Sequence, residues 1–148
     1  MDDESAIVDR LRGTDRWIAD LSLVAQVADG QIVGHCLTSA GDLVTASGTV
    51  RPILTLGPIS VLPERQRTGV GTALIRTTIA TADAAGWPVI LLLGHATYYP
   101  RFGFESARSL GLEPERPWSD EHWLARRLAA WSPEVRGTVH FPPAFRIV

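Results

Sequence analysis

The stretch that decides the fold is Pro63-Glu64-Arg65-Gln66-Arg67-Thr68-Gly69-Val70-Gly71-Thr72-Ala73-Leu74. An extended apolar segment, Ile53–Val61, precedes it, and a segment typical of a helix, Val70–Ala85, follows it. This order predicts a strand, a tight glycine turn and the start of a helix. The two glycines let backbone N–H groups turn inward, and the first N–H groups of a helix have no partner within that helix. Together with the helix dipole, the turn is predicted to form an anion site suited to a pyrophosphate.

The spacing of the glycines decides which kind of phosphate loop this is. A Walker A loop requires a lysine after its second glycine, and the chain contains no lysine. A dinucleotide-binding fingerprint requires a third glycine, where Ala73–Leu74 stands instead. The remaining pattern is Gln66-Arg67-Thr68-Gly69-Val70-Gly71, in which Arg65 and Arg67 are placed to add charge-assisted hydrogen bonds to an anion.

Length and composition exclude several classes of protein. With 148 residues, 45% of them hydrophobic and 20% charged, the chain is long enough for one domain with a single core. The net charge of −2 argues against a broad nucleic-acid surface, and no apolar run reaches the length of a membrane span. The acidic start, Met1–Glu4, is not expected to act as a secretory signal. One cysteine, Cys36, fits a reducing cytoplasm, and fourteen arginines without lysine or asparagine indicate a GC-rich bacterial genome.

The first part of the chain predicts a helix and a hairpin. Ser5–Arg12 carries apolar residues at helical spacing, and Gly13 follows as a stop signal. Ala19–Ala28 and Gln31–Thr38 are typical of strands, and Asp29-Gly30 between them is a hairpin signal.

The middle of the chain predicts a strand, a helix and a buried strand. Small residues scattered over Ser39–Val50 predict a loop. The strand at Ile53–Val61 contains Gly57-Pro58, and because proline cannot donate to a ladder we expect a bulge or a split there. The helix at Val70–Ala85 is amphipathic, with Arg76 and Asp83 opposite its apolar side. The continuous apolar run Val89–Leu93 suits a central strand buried on both faces. The apolar arc of the helix consists of Val70, Gly71, Leu74, Ile75, Ile79 and Ala82.

The last third of the chain contains one ambiguous segment. Tyr99–Phe102 predicts a short helical turn, and the prolines in Leu110–Trp118 predict a loop. Asp120–Leu128 fits either a helix capped by Ser119 or an alternating strand. Gly137–Phe141 predicts a last short strand. The order of elements predicts a mixed α/β sheet with one right-handed crossover.

Two motifs resemble those of the GNAT (GCN5-related) N-acetyltransferases. The first, Gln66–Gly71, is similar to that family's acyl-CoA pyrophosphate loop, and Tyr98-Tyr99-Pro100-Arg101-Phe102-Gly103-Phe104 is similar to its Tyr-x-x-x-Gly-Phe segment. The resemblance implies a GNAT-like acyl-CoA N-acyltransferase fold and a strand for Asp120–Leu128. It also implies one domain over residues 1–148, N-terminally short because the first strand and helix of the family are not recognised here.

The resemblance implies a site for acetyl-CoA as co-substrate. The backbone groups of Ile59, Ser60 and Val61 would pair with the pantetheine arm like an added strand. No histidine or cysteine shows metal-ligand spacing, so no metal is expected. The loop residues that would hold the phosphates are Gln66, Arg67, Thr68, Gly69, Val70, Gly71 and Thr72.

Tyr99 occupies the position of the family's general acid. A phenol within hydrogen-bond reach can stabilise or protonate the departing sulfur, while the alternative is an aromatic residue that only packs. Tyr98 is expected in the core or the pocket wall. No general base is evident from the residues: His95 follows the central strand where ligands collect in α/β sheets, although a histidine that caps a turn is the commoner case. Glu64 is expected to be solvated.

The sequence therefore favours an acetyl-CoA-dependent N-acetyltransferase that acts on a primary amine of a small-molecule or peptidic acceptor by direct attack. The alternative from another class is a non-catalytic acyl-CoA-binding domain that senses or scaffolds. Neither nucleic acid nor a membrane is expected as a partner. A sheet edge left bare by the short N-terminus would favour a homodimer.

Overall fold

The fold is that of a computed structural model which describes residues 3–147 of the chain. Within them, two α-helices and an eight-stranded mixed sheet form the framework, joined by short 3₁₀ turns. The predicted α/β class and mixed sheet are confirmed. In chain order the elements are α1 (Asp3–Leu11), β1 (Ser22–Gln26), β2 (Ile32–Val44), β3 (Val50–Val61), α2 (Val70–Ala84), β4 (Val89–Leu93), β5 (Glu105–Ser106), β6 (Leu112–Pro114), β7 (Trp123–Arg127) and β8 (Gly137–His140).

The predicted N-terminal helix and hairpin are present, as α1 and the antiparallel pair β1–β2. The predicted loop over residues 39–50 is wrong in its first part, because β2 continues as far as Val44, and right for residues 45–49, which connect β2 to β3. Small residues occur there since neighbouring strands approach closely: a Cβ atom on Gly41 would lie 2.7 Å from the carbonyl oxygen of His140 and 3.0 Å from the Thr55 methyl group. Small side chains in this stretch therefore reflect tight packing rather than a turn.

The predicted irregularity in the third strand lies at Gly57-Pro58. Along the antiparallel β2–β3 ladder, Thr38 pairs with Leu56 while Cys36 pairs with Ile59, so β3 contains one extra residue between these pairs. An extra residue of this kind bends a strand and increases its local twist. The bulge redirects the C-terminal end of β3.

Beyond the bulge, β3 and β4 separate. The two strands pair in parallel at Leu54 with Ile90 and at Thr55 with Leu91, and at no later position of the described chain. Both strands continue, to Val61 and Leu93 respectively. A wedge-shaped gap therefore opens between the two strands at their C-terminal ends, and the strand–turn–helix unit β3–α2–β4 borders it.

Helix α2 covers one face of the sheet with the apolar side predicted from the sequence. Arg76 and Asp83 are exposed on its outer side, as expected. The core beneath the helix includes Cys36, Leu54, Leu56, Ile90, Leu92 and Phe104. Burial of aliphatic side chains stabilises such a core by about 1.5–3 kcal/mol each. The helix residues that are buried are Leu74, Ile75, Thr78 and Ala82.

The sheet curls so far that its two ends nearly meet. The strand order is β5-β7-β4-β3-β2-β8-β6, and the chain passes from one end of this path to the other between Ser106 and Leu112. Trp123 is fully buried inside the curl and donates its indole N–H to the carbonyl oxygen of Leu112 at 2.9 Å. The predicted loop at 110–118 is thus wrong in part, because it contains β6 paired in parallel with β8. Trp118 packs on Trp123 with ring centroids 5.4 Å apart.

The ambiguous segment after Ser119 is a strand, β7, paired antiparallel with β4 and β5. Its side chains alternate between the two cores: Trp123 and Ala125 lie inside the curl, whereas Leu124 lies under α2. Helix α1 packs on the opposite face from α2, with Ile7 and Leu11 against Leu37.

The outer edge of the sheet next to β2 is formed in part by β1. Within the described residues β1 pairs with β2 alone, so its other edge is open. Val24 of β1 and Ile32 of β2 are both 55% exposed near this edge. The homodimer and the N-terminally short single domain both stay predictions.

Candidate active site

The open edge of β3 presents backbone groups to the gap. Leu62 donates its N–H to the carbonyl oxygen of Val33 at 2.9 Å, and Ser60 pairs with His35 in the same register. Because alternate residues of an antiparallel ladder bond to the same neighbour, the backbone N–H and C=O groups of Ile59 and Val61 point away from β2. They face the side from which β4 has departed, where an extended ligand can continue the ladder.

The glycine turn has the backbone geometry of an anion site. Arg67 has φ of +66° and is the one non-glycine residue with positive φ in the described chain; Gly69 follows with φ of +95°. A left-handed conformation is uncommon outside glycine and often marks a functional turn. α2 begins at Val70, and no hydrogen bond within residues 3–147 takes up the N–H groups of residues 67–72. Unpaired N–H groups at the positive end of a helix suit a phosphate.

Side chains of the loop hold it next to the strand. Gln66 donates from its amide nitrogen to the carbonyl oxygen of Val61 at 3.1 Å, and the Thr68 hydroxyl donates to the carbonyl oxygen of Arg65. Arg67 is exposed, and so is Glu64, as predicted. The arginines of the loop have no carboxylate partner in the part of the chain that the structure describes. Their positive charge is therefore available to an anionic ligand.

The Tyr-Tyr segment forms the opposite wall of the gap. The N–H groups of Tyr98 and Tyr99 both donate to the carbonyl oxygen of His95, at 3.1 and 3.3 Å. A 3₁₀ turn then runs over Tyr99–Phe102, as predicted, and ends at Gly103 with φ of +88°. Arg101 donates from Nε to the carbonyl oxygen of Tyr98 at 3.0 Å. The two tyrosine rings are nearly perpendicular, with an interplanar angle of 81°.

Tyr98 points toward the glycine turn. A Cβ atom on Gly71 would lie 3.1 Å from the Tyr98 hydroxyl oxygen, so the absence of a side chain at position 71 allows the phenol to approach the first turn of α2. This contact was not predicted, because the sequence places the two residues 27 positions apart on separate elements.

Tyr99 is 8% exposed and belongs to the core under α2. Its ring lies so close to Gly94 that a Cβ atom there would be 2.3 Å from the ring carbon Cε2. Burial raises the pKa of Tyr99 to about 12, because a phenolate is poorly solvated in the core. The hydroxyl accordingly keeps its proton at neutral pH, as a proton donor must. No hydrogen bond among the described residues engages this hydroxyl.

Two histidines lie at the C-terminal end of β4. His95 is exposed, and its ring lies edge-on to that of His122, with centroids 6.3 Å apart. His122 places Nδ1 3.0 Å from the carbonyl oxygen of Gly94. Since a carbonyl only accepts, Nδ1 carries a proton; Nε2 lies 3.6 Å from a carboxylate oxygen of Glu121. The sequence reasoning identified His95 but not its neighbour, since a shared strand end cannot be read from spacing.

Cys36 lies beside the candidate site but is not suited to act as a nucleophile. It pairs with Ile59 across the β2–β3 ladder, although the two are far apart in sequence. Its side chain is completely buried, 3.7 Å from the Thr78 hydroxyl, and burial raises the pKa of the thiol to about 11. A protonated, inaccessible thiol is unreactive. Within the described residues, no group of three or more histidine, cysteine, aspartate or glutamate side chains could hold a metal ion.

Comparison with known proteins identifies the family of this chain. The sequence model described as "Acetyltransferase (GNAT) domain" matches residues 19–106, which include the gap, the glycine turn and the tyrosine segment. The chain belongs to the GNAT acetyltransferase family. The GNAT relatives include an uncharacterized N-acetyltransferase, YjhQ, of Escherichia coli K12, 38% identical over 125 residues that cover 80% of this chain and 67% of that protein.

Two solved GNAT structures resemble this one over nearly its whole length. The Escherichia coli family member YhbS, solved in complex with CoA, has a TM-score of 0.86 at 26% identity, covering 98% of this chain and 78% of that chain. A GNAT acetyltransferase from Brucella melitensis, solved with acetyl-CoA, has a TM-score of 0.75 at 34% identity, covering 96% of this chain and 77% of that one. The predicted GNAT fold is confirmed.

Membership of the family makes acetyl-CoA the co-substrate and acetyl transfer the general activity. The residues of this chain fit such a ligand, because the amides of the glycine turn lack partners and the free edge of β3 lies beside them. Among the described residues, no helix is long and apolar enough to cross a membrane.

Proposed function

We propose that this GNAT domain transfers the acetyl group of acetyl-CoA to a primary amine of a small-molecule or peptidic acceptor, by direct attack in a ternary complex. The observation that carries the proposal is the gap between β3 and β4, bordered on one side by the backbone groups of Ile59 and Val61 that face away from β2 and on the other by Tyr99. A thioester arm in this gap would have its phosphates at the glycine turn and its reactive end near the tyrosine.

Binding in this proposal rests mainly on the backbone. The N–H groups around Gly69 and Gly71 take the pyrophosphate, assisted by the Arg67 guanidinium. Ile59 and Val61 accept and donate as a strand edge does toward an added strand, with Ser60 between them bonded to β2. The full set that we assign to the co-substrate is Ile59, Ser60, Val61, Gln66, Arg67, Thr68, Gly69, Val70, Gly71 and Thr72.

Catalysis in this proposal requires a proton for the sulfur and a sink for the amine proton. Bound acetyl-CoA supplies a thioester, whose carbon–sulfur bond breaks as the carbon–nitrogen bond forms. Tyr99 holds its proton firmly, since its pKa is raised to about 12, and donates a hydrogen bond to the departing sulfur. The amine proton passes to His95 or to a water beside it. No covalent acyl-enzyme is required, in agreement with the burial of Cys36.

Two experiments test the proposal. Acetyl-CoA should raise the melting temperature in a concentration-dependent way, while NADH should not, because a ligand bound only by the folded state stabilises it. Release of free thiol should then be followed with a panel of small amines and of peptides with free N-termini or lysines. Tight acetyl-CoA binding without thiol release from any amine would favour the alternative, a non-catalytic acyl-CoA-binding domain.

A further inference from the structure

Three arginines converge on a pocket outside the gap. Arg76 of α2, Arg101 of the 3₁₀ turn and Arg126 of β7 line a pocket of about 430 Å³ on the α2 face of the sheet. The other lining residues are apolar or glycine, and none is acidic. In a chain with a net charge of −2, three guanidinium groups around one cavity generate a local positive field that favours an anion.

Two of these guanidinium groups are already held in place. Arg101 donates from Nε to the carbonyl oxygen of Tyr98 at 3.0 Å, and Arg126 donates from Nε to the carbonyl oxygen of Phe102 at 2.8 Å. Each of these bonds uses one of five N–H donors and fixes the plane of the guanidinium group. Arg126 also donates from Nη1 to the carbonyl oxygen of Arg127. Gly103 makes the approach of Arg126 possible, because a Cβ atom there would lie 2.7 Å from Nε.

The third guanidinium group is free to close on a ligand. Arg76 is exposed and forms neither a hydrogen bond nor an ion pair within the described residues. It lies about 9 Å along the helix axis from Val70, at a rise of about 1.5 Å per residue. The pocket is thus separate from the glycine turn but shares α2 with it and the 3₁₀ turn with Tyr98.

We propose that this arginine pocket, formed by Arg76, Arg101 and Arg126, binds a phosphate monoester dianion. Planar guanidinium groups match phosphate oxygens with paired hydrogen bonds, and three of them balance the dianionic charge. Two kinds of molecule could supply this phosphate monoester. One is the 3′-phosphate of coenzyme A itself, an assignment that rests on the proposed function; the other is a separate phosphorylated molecule. In both cases the ligand would tighten the turn whose carbonyl groups Arg101 and Arg126 hold.

The test compares the full chain with Arg76→Gln and with a matched control, Arg116→Gln. Arg116 is exposed on a loop outside the pocket, so its loss changes the net charge equally. Calorimetry should measure the affinities of acetyl-CoA and of 3′-dephospho-acetyl-CoA. Thermal shift should compare inorganic phosphate with chloride at matched ionic strength.

If the cofactor supplies the phosphate, acetyl-CoA should bind about tenfold or more tightly than its dephospho form, as expected for a hydrogen-bonded charged pair. Arg76→Gln should reduce this ratio toward one, and Arg116→Gln should preserve it. If a separate molecule supplies it, the ratio is one in the parent chain, but inorganic phosphate protects that chain from heat more than chloride does. Arg76→Gln should then reduce this protection to the part that the glycine turn provides, whereas Arg116→Gln should preserve it.

The inference is overturned if the two coenzymes bind equally and phosphate protects no better than chloride. It is also overturned if Arg76→Gln and Arg116→Gln have equal effects. Failure of the proposed function gives different results. If acetyl-CoA did not bind at all, the phosphate arm with Arg76→Gln would still report on the arginine pocket, and if it bound without acetyl transfer, both arms would still report on it.

Discussion

Replacing Tyr99 with phenylalanine should slow acetyl transfer without unfolding the protein. The substitution keeps the ring in its place between Gly94 and Phe104 and removes the hydroxyl alone. No hydrogen bond in the described chain depends on that hydroxyl, so its removal breaks no such bond. The melting temperature should therefore stay within a few degrees of the parent value, or rise.

The effect on rate follows from the role of the proton. General acid catalysis typically contributes about 10²–10⁴-fold, equivalent to about 2.7–5.4 kcal/mol in the activation free energy. Since the hydrogen bond to sulfur strengthens as the thiolate departs, the loss should appear in kcat, while the affinity for acetyl-CoA changes little. Because the pKa of Tyr99 is raised to about 12, its ionisation should not produce a descending limb in the pH–rate profile below pH 10.

The assay is release of free CoA thiol under single-turnover conditions with an accepted amine, so that chemistry limits the rate. Tyr98→Phe is the matched control: it removes the same atom, but from a ring whose hydroxyl faces Gly71. Its loss should weaken acetyl-CoA binding and spare kcat. Full kcat in Tyr99→Phe would refute the assignment of the acid, and equal small effects at both positions would show that neither hydroxyl protonates the sulfur.

Three further predictions concern the glycines and the thiol. Gly71→Glu should abolish acetyl-CoA binding in calorimetry, because its Cβ atom would lie 3.1 Å from the Tyr98 hydroxyl oxygen and its carboxylate would repel phosphate. The control, Ala73→Glu, is exposed on the same helix and should bind acetyl-CoA normally. Unimpaired binding in Gly71→Glu would contradict the assignment of the site. Gly94→Ala should lower kcat by displacing Tyr99, whose ring carbon would lie 2.3 Å from the new methyl group; an unchanged rate would mean that the position of that ring does not matter. Stability should fall as pH rises from about 9 through 11, because the folded state holds the Cys36 proton, with its pKa raised to about 11, while the unfolded state releases it near the ordinary value. In denaturant titrations Cys36→Ala should lose less stability over this window than the parent chain, and an identical decline would contradict the explanation.

The family and the main elements could be predicted because their signals are local. The glycine turn, the tyrosine segment and the apolar run at Val89–Leu93 each occupy a few consecutive residues with defined spacing. Gly57-Pro58 likewise marked the bulge, since proline excludes a ladder bond whatever the tertiary structure. The inner side of α2 could be identified from helical period alone.

Other features depend on partners distant in sequence. From the sequence alone, Gly41 predicts a loop. In the folded chain, a Cβ atom at this position would lie 2.7 Å from the carbonyl oxygen of His140, so the glycine reflects the close approach of two strands. Strand β6 has three residues and is defined by its pairing with β8, so no local sequence pattern predicts it. The arginine pocket combines side chains from a helix, a turn and a strand. The contact between Tyr98 and Gly71 joins two elements whose relative orientation is set by tertiary packing, which local sequence does not determine.

The near closure of the curled sheet has a consequence for how the chain folds. The C-terminal part of β2 pairs with β8, with Asp42 opposite His140, so this side of the sheet stays unpaired until residues 137–140 are available. Pairing of segments so distant in sequence makes folding slow, because loop-closure entropy is lost before the contacts form. During synthesis, the early hairpin would present an open β-edge while the ribosome finishes the remaining strands. We therefore expect C-terminal truncation that removes β8 to promote aggregation, because the edge of β2 would stay exposed.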